Sequence, residues 1–198
     1  FEDDNFKFYY VGEILDINNI SSLVRCFHSE FSPDEPVSLV IHPTTNMPEE
    51  NKRAIVDNIS QEVKSKLRIY PASEMYKKET VISQALNREG LLALHNSCDC
   101  FVSTSHGDSW SRHAFEAMAF GNTPIVGGSM GNVDFITNSL DTGVLVGGSY
   151  SVCSSTTPPF QDLQTGREVW FSVSESEFKS WMRHFYNNRD KVNRKNGL

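Results

Sequence analysis

Short apolar runs alternate along the chain with longer segments in which apolar residues recur every three or four positions. Lys7 to Val11 (KFYYV) predicts a first strand, ended by Gly12. Ile20 to Phe31 predicts a helix with Ile20, Leu23, Val24, Phe27 and Phe31 on one face. Val37 to Ile41 (VSLVI) is nearly continuous in apolar character, as a strand covered on both faces is. Glu49 to Ser65 predicts a second helix with Ile55, Ile59 and Val63 inward, and Leu67 to Tyr70 a short strand. Asn87 is placed to cap a helix running through Ser97. After it come a strand (Cys100 to Ser103), a helix (Ser111 to Phe120), a strand (Thr123 to Val126), a short helix (Asn132 to Ile136) and a last strand (Val144 to Val146). Strands alternating with helices predict an α/β, Rossmann-like parallel sheet with helices on both faces, whose ligands sit beyond the carboxyl ends of the strands.

Two segments break the alternation. Ala72 to Leu86 predicts an extra helix or a lid. Gly147 to Gly166, rich in Gly, Ser, Thr and Pro, has no period and predicts a long flexible loop. Beyond it, Glu177 to Asn188 predicts an amphipathic helix with Phe178, Trp181, Met182 and Phe185 on one face.

Length and charge narrow the class. The 198 residues suit one domain, 1–198, long enough to bury a core. A net charge of −7 disfavours nucleic acid as a partner and makes an anionic membrane a poor one. No apolar stretch approaches the roughly 20 residues of a spanning helix, and the acidic start does not resemble a signal peptide. The expected location is therefore the cytoplasm or the cytosolic face of a membrane. A start without Met suggests a piece of a longer chain. Four cysteines fit neither a zinc spacing nor a dense disulfide framework, so reduced thiols are expected. Cys98 and Cys100, two apart, are expected to point the same way into the core. No histidine pair has metal-ligand spacing on one helix, so no bound metal and no cofactor are expected.

The chemistry concentrates in Phe101 to Gly121, FVSTSHGDSWSRHAFEAMAFG. An apolar strand runs into small hydroxyl residues, then a turn at His106-Gly107-Asp108, then a helix. A helix N-terminus presents unpaired N–H groups and a partial positive charge, which suits a phosphate. Asp108 and Glu116, eight positions apart, can accept hydrogen bonds from sugar hydroxyls on either side of it. Strand, loop and acids together suggest a nucleotide-sugar site.

Asp108 to Gly121 (DSWSRHAFEAMAFG) resembles the signature E-x-F-G-x-x-x-x-E-A-M-A-x-G of retaining glycosyltransferases with the GT-B fold, the glycosyl transferases group 1 or family 4 type. Asp108 stands at the first acid, Trp110 at the aromatic, Ser111 at the glycine and Glu116 at the second acid. Other stretches follow in the family's order: Tyr10-Val11-Gly12, Asn19, Leu91 to Val102, Thr123 to Val126, Gly131 to Ile136 and Thr142 to Val146. The likeness spans Tyr9 to Val146 and implies the C-terminal, donor-binding half of such an enzyme. It implies a nucleotide diphosphate sugar as donor and an acceptor that is a glycan, a lipid or a protein. It also implies a separate N-terminal GT-B domain that supplies acceptor binding.

Asp108 and Glu116 are the implied catalytic pair, Asp108 on the transferred sugar and Glu116 on the ribose. Backbone N–H groups around Trp110, Ser111 and Arg112 would hold phosphate, with Gly12, Asn18, Gly107 and His113 around the donor and Tyr70 facing the base. The family's two basic diphosphate contacts correspond here to Glu13 and Asn18, a departure that Arg112 and His113 could partly offset. Glu13 and Asn18 also support a rival reading, a GT-B-like binding or assembly module without catalysis. A further rival is another GT-B enzyme, such as a nucleotide-sugar epimerase; for a phosphorylase no cofactor lysine or basic phosphate site is evident. The surface reading of Arg112 is an i,i+4 partner for Glu116.

Overall fold

A computed structural model describes residues 4–137, 142–153, 165 and 167–189. The central strand β1 (Phe6–Gly12) is buried along almost its whole length and pairs in parallel with β2 (Val37–Pro43) on one side and β4 (Cys100–Ser103) on the other. With β3 (Thr80–Val81), β5 (Ile125–Gly127) and β6 (Val144–Val146) they form a six-stranded sheet of order β3-β2-β1-β4-β5-β6, every pairing parallel. The chain therefore winds outward from β1 first one way and then the other, and the reversal falls between β1 and β4. In sheets of this topology that reversal opens a crevice at the carboxyl ends of the two strands.

The helices are α1 (Ile20–Glu30), α2 (Glu49–Leu67), α3 (Arg88–Ser97), α4 (Arg112–Ala119) and α5 (Glu175–Asn187). Side chains alternate across β1. Phe6, Phe8 and Tyr10 face Leu23, Val24 and Phe27 of α1 and Phe178, Met182 and Phe185 of α5. Tyr9 and Val11 face Leu94 of α3 and Ala114 and Ala117 of α4. Each large apolar side chain so enclosed contributes about 1.5–3 kcal/mol.

Several expectations change. Residues 67–70 are not a strand: α2 runs on to Leu67, Arg68 turns left-handed at φ 53°, and Ile69 is 48% exposed. The edge strand is β3, inside the segment expected to be a helix or lid, which instead makes a short 3₁₀ turn (Ser73–Met75) and then joins the sheet. A buried carboxylate draws it there. Glu79 accepts from Ser60 Oγ at 2.5 Å and from Lys64 Nζ at 2.9 Å, and lies 2.5 Å from His28 Nε2. The inward face of α2 is accordingly Val56, Ser60 and Val63, with Ile59 only partly buried. In place of a short helix over 132–136 there is a 3₁₀ turn (Met130–Asp134), with Phe135 and Ile136 beyond it. Cys98 and Cys100 are both buried thiols, but they belong to opposite sides of the sheet, because Cys98 caps α3 and is not yet in β4.

Part of the expected flexible loop is a strand. β7 (Gly148–Val152) pairs antiparallel with β8 (Val169–Val173), and a Cβ on Gly148 would strike the Ser172 carbonyl oxygen. No side chain of β7 is buried, so it left no apolar alternation to read. Residues 154–164 and 166, the middle of that loop, lie outside the described residues. Among the described residues no helix is long and apolar enough to cross a membrane.

The expected amphipathic helix is present as α5, capped by the Ser174 hydroxyl, which accepts from Glu177 N. Arg183 anchors its far end. The guanidinium donates to Glu30 at 2.7 Å and to Glu35 at 2.5 Å and lies 4.5 Å from the Phe31 ring centre. Arg183→Ala is expected to lower stability by about 1–3 kcal/mol, since two charge-assisted contacts and a ring contact go together. Urea unfolding at neutral pH measures it, and an unchanged midpoint would mean that the apolar face alone docks α5.

Candidate functional site

A cleft of about 480 Å³ opens at the carboxyl ends of β1 and β4, where the winding reverses. One wall is the β1–α1 loop with Gly12, Glu13 and Asn18; the other is the β4–α4 loop with Gly107, Asp108 and Trp110, followed by Ser111, Arg112 and His113. Eight of the residues expected at the site thus share one cleft: Gly12, Asn18, Gly107, Asp108, Trp110, Ser111, Arg112 and His113. Tyr70 does not join them. It packs edge-on against Tyr76, with ring centres 4.8 Å apart, and borders a separate groove with Arg68 and Ser73. With residues 67–70 outside the sheet, no strand end carries Tyr70 toward the cleft.

The two loops are bound to each other. His106 N donates to Ile17 O at 2.7 Å, Thr104 Oγ1 donates to Asn19 O at 2.7 Å, and Asn19 takes the left-handed conformation that starts α1. His106 also ties in the hairpin. Its carbonyl accepts from Phe171 N at 3.1 Å, its Nδ1 lies 2.8 Å from Phe171 O, and its ring stacks on Trp170. At Gly12 the Tyr10 hydroxyl folds over the chain to donate to Glu13 O at 2.9 Å, so a Cβ there would strike that phenol unless the ring moved. Burial, then the nearby Asp108 and Glu13 charges, hold that phenol far above its ordinary pKa, so it stays a donor.

Asp108 is exposed, and its Oδ1 accepts from Trp110 N at 3.1 Å, so it closes a turn and does not cap α4. Arg112 N is likewise engaged, donating to Trp110 O at 2.7 Å. Two of the three N–H groups expected to hold phosphate are therefore used within the loop, and what remains for an anion is Ser111 and the first turn of α4. The loop rests on Gly131, whose N–H donates to Asp108 O at 3.1 Å and whose missing side chain admits the Ser109 carbonyl. Asn18 Oδ1 is buried without a hydrogen-bond partner. Among the described lining residues, the carboxylates of Glu13 and Asp108 meet one full cation, Arg112.

Glu116 stands one layer behind the cleft wall. Its Oε2 lies 3.4 Å from His113 Nδ1 and 3.7 Å from His95 Nε2, and its Oε1 lies 3.8 Å from Arg112 Nε, so the i,i+4 pairing with Arg112 is present but loose. Burial, then Arg112, lower the pKa of His113 despite Glu116. The hairpin was missed by sequence reasoning, as was the part that His95 and Gly131 play at the site, although both residues lie in stretches that resemble the family. For His95 a signal existed, because it sits four residues after Leu91 on the inward face of an apolar helix. The three ligand-capable atoms of His95, His113 and Glu116 lie within 4.8 Å of one another, a cluster drawn from two helices that spacing on one helix does not reveal.

Comparison with known proteins agrees with this fold. Over 96% of the chain, the fold is similar to the C-terminal domain of a glycosyl transferase group 1 family protein (LpcC) from Francisella tularensis, at 13% identity and a TM-score of 0.66, covering 80% of that chain. It is also similar to the catalytic domain of cholesterol-alpha-glucosyltransferase from Helicobacter pylori, at 15% identity and a TM-score of 0.58, covering 96% of this chain and 91% of that one. Anabaena HepE, solved in complex with UDP-glucose, matches at 13% identity and a TM-score of 0.62; 97% of this chain covers 43% of that one. No curated protein sequence matches the chain. The family model described as Glycosyl transferases group 1 matches residues 1–152, and with the six-stranded parallel sheet and the cleft at its winding reversal this makes the chain a member of that glycosyltransferase family.

Proposed function

We propose that this chain is the donor-binding half of a retaining, metal-independent glycosyltransferase that moves a hexose from a nucleotide diphosphate sugar to a hydroxyl acceptor. The observation that carries this reading is the meeting, in the cleft at the β1/β4 reversal, of the first turn of α4 with the Asp108 turn. The helix N-terminus favours the diphosphate and stabilises the charge that grows on it as the sugar leaves. The bond from the anomeric carbon to the phosphate oxygen breaks, and a bond to the acceptor oxygen forms on the same face. The acceptor proton passes to the departing phosphate, so no protein nucleophile is needed. Asp108 accepts from hydroxyls of the transferred sugar, and Glu116 acts on the nucleoside side through its outer oxygen. A companion GT-B domain brings the acceptor, whether glycan, lipid or protein.

A second reading, a binding module without turnover, draws on the carboxylate of Glu13 lining the cleft where a diphosphate would lie. Calorimetric titration with nucleoside diphosphates and their sugars, in EDTA, separates the two. Binding below millimolar concentration supports the transferase, and failure of the whole panel favours the module. Asp108→Asn keeps the turn acceptor, so it is expected to weaken the nucleotide sugar but hardly the bare nucleoside diphosphate. Glu116→Gln is expected to weaken both by about 1–3 kcal/mol. Equal losses for both ligands in the Asp108 variant would remove it from the sugar subsite.

A further inference from the structure

A buried polar chain runs from the sheet core to the cleft. Asn122 Nδ2 donates to the His95 carbonyl at 2.6 Å and to Tyr9 Oη at 3.0 Å; the carbonyl partner identifies that atom as the amide nitrogen. Tyr9 therefore accepts from Asn122, and its single proton goes to its other partner, His95 Nδ1, at 2.7 Å. A neutral imidazole that accepts at Nδ1 carries its proton on Nε2. Nε2 lies 3.7 Å from Glu116 Oε2, and His113 Nδ1 lies 3.4 Å from the same oxygen. A carboxylate is an acceptor, so His113 is protonated at Nδ1 and its lone pair stays on Nε2. Nδ1 is turned into the protein while the ring lines the cleft, which leaves Nε2 as the nitrogen a ligand can reach.

We propose that His113 accepts, through Nε2, a hydrogen bond from a hydroxyl of the ligand in the cleft, and that Tyr9, His95 and Glu116 hold it in the tautomer that can do so. The proposal rests on the donor-binding reading for the ligand, but not for the tautomer. The groups around His113 are Arg112 and Glu116 on α4, His95 on α3, His42 on β2, and Glu13 and Asp108 along the same cleft. Burial, Arg112 and His42 together outweigh Glu116, so the ring is neutral at pH 7 and keeps its lone pair. Both contacts to Glu116 are longer than good hydrogen bonds and act here through charge, the carboxylate favouring an N–H over a lone pair on each nitrogen that faces it.

The cluster also invites a transition metal, because tetrahedral zinc with bonds of about 2.0–2.2 Å holds its ligand atoms at comparable separations. Zinc would need the lone pair of His95 Nε2. The proton would have to move to Nδ1, and the buried Tyr9 hydroxyl would lose its acceptor.

The test is ¹⁵N-histidine labelling with long-range ¹H–¹⁵N correlation of the free chain. His113 should show a protonated Nδ1 and a lone-pair Nε2, and His95 a protonated Nε2. Tyr9→Phe, which leaves the side chains of Glu116 and His113 in place, should mix the His95 tautomers and shift the His113 titration, a response that lost packing alone would not produce. The opposite tautomer at His113, or stoichiometric Zn²⁺ binding that abolishes its Nδ1–H signal, overturns the proposal. On the ligand side, His113→Asn keeps a donor near Nδ1 and removes Nε2. It should weaken the best-bound nucleotide ligand about tenfold without moving the melting temperature. A 2′-deoxy and a 3′-deoxy analogue then tell ribose from transferred sugar as the source of the hydroxyl. Unchanged affinity in His113→Asn overturns the ligand contact. Absence of binding by any nucleotide to the native chain overturns the donor reading and the contact built on it, and leaves the tautomer result to decide the relay.

Discussion

Glu79→Ala is expected to destabilise the domain by about 3–5 kcal/mol, the usual consequence of removing one partner from a buried charge cluster. The carboxylate is 7% exposed and is shared by His28, Ser60 and Lys64, which reach it from α1 and α2. Without it, Lys64 keeps, among the described residues, the Lys77 carbonyl at 3.2 Å, and its charge remains buried. Burial by itself would raise the Glu79 pKa; the hydrogen bond and charge of His28, then Ser60 and Lys64, outweigh it and hold the carboxyl at about 2.

The sign of the pH effect follows. A carboxyl whose folded pKa lies below an unfolded value of about 4.3 adds stability above that pH and loses it as pH falls toward 2. Urea unfolding of the native chain should therefore show a steeper stability loss between about pH 4.3 and 2 than Glu79→Gln, which keeps only the share of other paired carboxylates such as Glu35. Parallel acid limbs for the two proteins would show that the cluster is not the acid-sensitive element.

The second large effect concerns Gly131. A Cβ there would meet the Ser109 carbonyl oxygen and then Trp110 Cα at 3.0 Å, both backbone atoms that no side-chain rotation can clear. Gly131→Ala should push the Asp108–Trp110 turn away from its seat and strain the hydrogen bond from residue 131 to Asp108 O. Displacement of a positioning loop by about 1 Å can cost about 100-fold in function. Nucleotide-sugar affinity should fall by that order while the melting temperature changes little, because the turn is exposed and outside both core clusters. Calorimetry paired with thermal melting measures the two separately. A variant that binds normally would mean that the loop position seen here is not the one that meets the ligand.

The elements legible in the sequence were those with a buried face. β1, β2, α1, α3, β4 and α5 each present a period of two, of three to four, or a continuous apolar run, and each was found within a few residues of its place. The loop-and-helix motif was legible for a different reason: its glycine, acids and hydroxyls are spaced by the demands of a phosphate turn, and that spacing is local. Elements held by distant or polar partners were not legible. β3 depends on Glu79 meeting side chains from two helices, and β7 on backbone pairing with a segment about twenty positions further along. Tyr70 was misplaced with the strand it was assigned to.

By itself the sequence determined the layered α/β class, the parallel sheet and the loop that carries Gly107, Asp108 and the start of α4, because hydrophobic period and turn chemistry act over a few residues. Only the tertiary structure decided how those groups are used. It engaged the N–H groups of Trp110 and Arg112 inside the loop, seated that loop on Gly131, and set Glu116 behind the wall between His95 and His113. Proton positions along Tyr9, His95 and Glu116 start from the contacts of Tyr9 with His95 and Asn122, 86 and 113 positions away, and no local pattern encodes which nitrogen of an imidazole faces which oxygen.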